Sequence, residues 1–98
     1  MTARGPWYIT AAACRDYMAI TGLPDTEAGF AAAEDALIEL AAATVASGRV
    51  PAPMRSGALR YRGPRPARLT LIVTPGERPE GPLPQLVRVM SSHEGRAG

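Results

Sequence analysis

The spacing of apolar residues divides this chain into two parts. From Ala11 to about Ala46 apolar positions recur every three or four residues, which gathers them on one side of an α-helix. From Ala58 onward they alternate with polar residues, the period of a strand with one buried face. Before the first helix, Trp7-Tyr8-Ile9-Thr10 is aromatic and β-branched and predicts a short strand. Thr10 can N-cap a helix over Ala11 to about Thr21, with Cys14, Tyr17 and Met18 on its buried face. Gly22 suits the residue after that helix, and Pro24 prevents continuation. Asp25 or Thr26 caps a second helix running to Ala46, and Glu27 suits the positive end of its dipole. Its buried stripe is Phe30, Ala33, Leu37, Leu40, Ala41, Thr44 and Val45, which leaves Glu34, Asp35 and Glu39 facing water.

Residues 50–56 are proline-rich and read as irregular. Ala58-Leu59-Arg60-Tyr61-Arg62 and Ala67-Arg68-Leu69-Thr70-Leu71-Ile72-Val73 alternate, and Gly63-Pro64-Arg65-Pro66 between them has turn composition, so a hairpin is predicted. Thr74 to Pro84 holds four prolines and two glycines and reads as a loop. Gln85 to Met90 reads as the last strand. The order β-α-α-β-β-β predicts an α+β fold, with two helices packed on one face of a small, mostly antiparallel sheet. Ninety-eight residues supply one core, hence a single domain over 1–98 with an ordered part at about 7–90 and a polar tail at 91–98.

Alternation assigns the faces. Leu59, Tyr61, Ala67, Leu69, Leu71, Val73, Val87 and Val89 would meet the helices. Arg60, Arg62, Arg68, Thr70, Ile72, Leu86, Arg88 and Met90 would form the open face. Charge makes that face notable. Residues 1–48 carry two arginines against six acids, a balance of −4, whereas residues 49–98 carry nine arginines against three, a balance of +6. No acid lies between Arg49 and Gly76, and the chain contains no lysine. Arginine grips phosphate or carboxylate in bidentate geometry, so Arg60, Arg62, Arg68 and Arg88 on three strands point to an anionic partner.

Other chemistry is sparse. Cys14 is the single cysteine, so no internal disulfide forms, and no Cys/His cluster has zinc spacing. No phosphate loop, dinucleotide motif or nucleophile elbow is present, and no cofactor is implied. No apolar run has the ~18 residues of a membrane span. The start lacks the apolar run of a signal peptide. A cytoplasmic protein without a membrane partner is expected. His93, the only histidine, follows the last strand with Arg96 close behind. It is the candidate acid or base, since imidazole titrates near neutrality; a solvated tail residue is the plainer reading.

The element order over residues 7–96 resembles the RelE/ParE-type toxins, a barnase-like small ribonuclease fold. Leu59-Arg60-Tyr61-Arg62 is similar to the family's arginine-bearing strand after the helices. Leu86-Val87-Arg88-Val89-Met90 with His93 and Arg96 is similar to its final strand and polar end. The resemblance implies a toxin-like ribonuclease, free or ribosome-dependent, or a gyrase poison, paired with an antitoxin. Arg60, Arg62, Arg68, Arg88 and Arg96 would then contact phosphate, with His93 as the catalytic acid or base. The sequence leaves open whether the protein is an enzyme. The competing reading is a non-catalytic binding or inhibitor protein, of phage or mobile-element type, docking on an acidic protein or nucleic-acid-binding partner. A homodimer joined through the sheet edge is a third.

Overall fold

The computed structural model describes residues 6–63, 69–74 and 84–91. Seven elements follow one another: β1 (Tyr8–Ile9), α1 (Ala11–Thr21), α2 (Glu27–Ala46), β2 (Ala52–Pro53), β3 (Leu59–Arg62), β4 (Leu69–Thr74) and β5 (Gln85–Ser91). They form the expected α+β arrangement, two helices against one sheet in the order β1-β5-β4-β3-β2. All pairs are antiparallel except β1 with β5. The proposed turn after Gly63, the loop between Thr74 and Pro84, and the tail beyond Ser91 lie outside the described residues.

The helix ends follow their local chemistry. The Thr10 hydroxyl accepts from the Ala13 N–H at 3.2 Å and donates to the Leu86 carbonyl at 2.8 Å. One side chain thus caps α1 and ties its start to β5. Gly22 closes α1 in the left-handed region at φ 81°, where only glycine is unstrained. Thr26 caps α2 by accepting from the Gly29 N–H at 3.1 Å.

The core lies between sheet and helices. Ala13, Cys14 and Met18 of α1 and Ala33, Leu37 and Ala41 of α2 pack with Ile9, Leu69, Leu71, Val73, Leu86 and Val89. Trp7 is buried, and its ring meets that of Tyr61 at 4.9 Å between centroids in a tilted arrangement, a favourable aromatic geometry. Thr44 is fully buried on the expected stripe, and its hydroxyl donates to the Leu40 carbonyl at 2.7 Å.

Four expectations need correction. Val45 is 47% exposed, because it falls at the rim of the stripe near the end of α2. Glu34 does not face water. It is half-buried toward α1, and its Oε2 is buried without a hydrogen-bond partner among the described residues. Residues 50–56 are not wholly irregular, since β2 pairs Ala52 with Arg60 and Pro53 with Leu59. The Met54 N–H donates to the Ala58 carbonyl, so alternation turns the nitrogens of Pro51 and Pro53 outward, where an edge strand needs no donor. Finally, Leu86 and not Val87 faces the core. Ile72 pairs with Arg88 while Val73 pairs with Leu86, so Val87 has no counterpart on β4. This β-bulge shifts the phase of the strand by one residue and sends both Leu86 and Val89 into the core.

Gly29 generates a stability prediction. Alanine normally improves on glycine inside a helix by roughly 0.5–1 kcal/mol. At this position a Cβ would collide with the backbone carbonyl of Pro24, whose oxygen is held by the Thr26 N–H at 2.9 Å. Gly29→Ala is therefore expected to destabilise by about 1–3 kcal/mol in urea unfolding. A stabilised variant would refute the close approach.

Candidate functional site

The open face of the sheet is built from strands that contain no acidic residue. Strand register arranges it in rows. Ala52, Arg60, Ile72 and Arg88 pair in succession across β2, β3, β4 and β5. The next row holds Arg62, Thr70 and Met90. Arg60 and Arg62 are exposed, and two residues of strand separate them by about 7 Å. Neither meets an acidic side chain among the described residues. Ile72, expected on the open face, lies between the two arginine positions of its row but is only 8% exposed.

Arg88 joins that row but is already partnered. The two-residue β1 pairs with Gln85 and Leu86, so among the described residues no strand lies on the outer edge of β5 beyond Leu86. Asp16 of α1 fills the position. Its carboxylate accepts from Arg88 Nε at 2.7 Å and Nη2 at 3.3 Å, and from the Val89 N–H at 3.0 Å. The contact holds the Arg88 guanidinium in its charged form even more firmly than usual, first through the hydrogen bond and then through the charge. Of the four arginines expected together on this face, three are among the described residues. Arg60 and Arg62 stand together, Arg88 is neutralised locally, and Arg68, Arg96 and His93 lie outside the described residues. Asp16 is the member the sequence reading missed. Its contact with β5 spans 72 residues, and no local signal announces it.

Beside this contact runs a groove of about 520 Å³, lined by Asp16, Ala19 and Ile20 of α1 and Val89, Met90 and Ser91 of β5. Ile20 is 40% and Met90 51% exposed. Among the described residues, no group of three or more His, Cys, Asp or Glu side chains is placed to hold a metal ion. No described helix is long and apolar enough to cross a membrane.

Cys14 is fully buried on the inner face of α1. Burial pushes its thiol up to about 11, the nearby Glu34 charge adds to this, and Arg15 opposes it. A protonated, enclosed thiol is not a nucleophile at neutral pH. Compared with protein-family models, with characterised proteins and with solved structures, the chain matches none.

The Cys14 environment predicts a pH effect. The folded-state value lies above the ordinary 9.0, so ionisation favours the unfolded chain once pH exceeds that lower value. Stability should fall as pH rises from 9 towards 11, by up to about 2–3 kcal/mol. Urea unfolding at about pH 8 and about pH 10.5 should show a steeper loss for wild type than for Cys14→Ala. Identical losses would contradict the assignment.

Proposed function

We propose that the open sheet face binds single-stranded RNA through its phosphates, with Arg60 and Arg62 as the principal contacts. The observation that carries this reading is the exposed Arg60–Arg62 pair on a face whose strands hold no acid. Two side chains two residues apart along a strand project in the same direction, at a spacing that suits neighbouring phosphates of one extended strand. Planar guanidinium groups satisfy such oxygens two donors at a time. Recognition of this kind follows the backbone and is indifferent to base sequence. The α2 helix is not suited to entering a DNA groove, since it is acidic and alanine-rich.

The toxin-like ribonuclease suggested by the order of elements adds a chemical step to this binding. A base would take the proton of the ribose 2′-hydroxyl, whose oxygen would attack the adjacent phosphorus; the bond to the 5′-oxygen would break, leaving a 2′,3′-cyclic phosphate and a 5′-hydroxyl protonated from solvent. His93 is the candidate for that base. Full cleavage by His93→Ala removes His93 from this step, and no cleavage of RNA with or without ribosomes removes the step itself; either result leaves the binding reading intact. A second reading, a protein partner, is favoured by the exposed Ile20 and Met90 in the groove next to Arg88. It predicts that Ile20→Asp, on α1 and off the strands, abolishes partner binding while RNA affinity is kept.

Binding to a single-stranded oligoribonucleotide is expected to weaken steeply with salt. Each arginine removed should flatten the plot of log affinity against log salt by about 0.7. Arg60→Ala and Arg62→Ala should each show this, and the double variant should show about twice the change. A double variant with wild-type affinity and slope would overturn the proposal.

A further inference from the structure

Three donors converge on one carboxylate at the outer edge of β5. Arg88 contributes Nε and Nη2, Val89 contributes its backbone N–H, and the acceptor atoms are the two oxygens of Asp16. A guanidinium fork joined by a backbone amide is a donor set that also suits a phosphate. Here an internal anion occupies it.

The position of Arg88 gives that occupancy a consequence. Arg88 lies in the same cross-strand row as Arg60, with Ile72 between them, so two inter-strand spacings of about 10 Å separate the two arginines. Arg62 is one row further along. Together the three would form a triangle of positive charge on the open face. The arginine is the exposed partner of the ion pair, at 61% for its side chain, and Asp16 is the sheltered one at 20%. If Arg88 turns away, Asp16 keeps the Val89 N–H and α1 stays tied to β5. Exchange therefore breaks only a solvent-exposed ion pair, a weak interaction.

We propose that Arg88 is a latent third arginine of the RNA-binding face, and that Asp16 is the internal competitor that occupies its anion site. This rests on the RNA-binding reading and deepens it. Asp16 sets how many phosphates the face engages, two when the ion pair is closed and three when it is open.

The test compares binding of a short single-stranded oligoribonucleotide across salt concentrations. Asp16→Asn keeps an acceptor for the Val89 N–H and removes the competing charge. It is expected to raise affinity roughly threefold at low salt and to steepen the salt slope by about 0.7. Both gains should vanish in Asp16→Asn combined with Arg88→Ala. Glu39→Gln makes the same change of net charge on an exposed part of α2 and should bring no such gain. An Asp16→Asn variant that binds no more tightly than wild type, a gain that survives loss of Arg88, or an equal gain in Glu39→Gln would each overturn the proposal. Wild type supplies a second measurement that does not depend on folding of a variant. Phenylglyoxal should modify Arg88 more slowly than Arg60 and Arg62 in mass spectra of the labelled protein, and equal rates would also overturn it. Failure of the RNA reading shows in a different comparison, as wild-type binding by the Arg60→Ala and Arg62→Ala double variant.

Discussion

The extra residue in β5 is the constraint on which the rest of the structure depends. A regular strand would turn Leu86, Arg88 and Met90 to one face and Val87 and Val89 to the other. With Val87 bulged out of the ladder, Leu86 joins Val89 in the core while Arg88 and Met90 remain on the open side. Burial decides the outcome. Leu86 is fully buried and Val89 nearly so, and sheltering both side chains outweighs one lost rung of pairing. The bulge also lies where β1 stops, which is where β5 loses its outer neighbour.

That loss explains Asp16. An unpaired strand edge leaves backbone donors without acceptors, and a buried or half-buried donor is costly to leave so. The α1 helix starts directly after β1, since Thr10 both caps the helix and bonds to Leu86. Its second turn is therefore carried along the edge that β1 vacates. Asp16 sits at the point where it can bond the Val89 N–H, and its charge then draws in Arg88. One short strand, one cap and one carboxylate thus set which arginines remain available on the sheet face.

The same layout separates charge. The outer surface of α2 carries Glu27, Asp35 and Glu39, all exposed, whereas the strands carry arginine and no acid. The helices cover the sheet's other face, so the acidic side chains are kept from neutralising Arg60 and Arg62. Asp16 is the exception because it lies at the edge and not over the face.

Much of the fold was legible from the chain alone. The helix limits at Thr10, Gly22 and Thr26, the two periodicities, and the exposure of Arg60 and Arg62 all rest on local rules, since capping and alternation involve residues a few positions apart. Local rules also misled at known points. Pro51 and Pro53 look like strand breakers, yet they suit an edge whose outward nitrogens need no partner. The alternation of Gln85–Ser91 hides a bulge, because only the pairing with β4 reveals that one residue is surplus. Glu34 looks like a solvent-facing position, yet it is half-buried with Oε2 enclosed and close enough to Cys14 of α1 to raise its thiol. The Asp16–Arg88 contact joins residues far apart in sequence. The sequence by itself determined which elements form and where charge accumulates. Tertiary structure decided which of those charges are paired among the described residues, because strand register and the early end of β1 place the Asp16 carboxylate beside Arg88 and not beside Arg60 or Arg62.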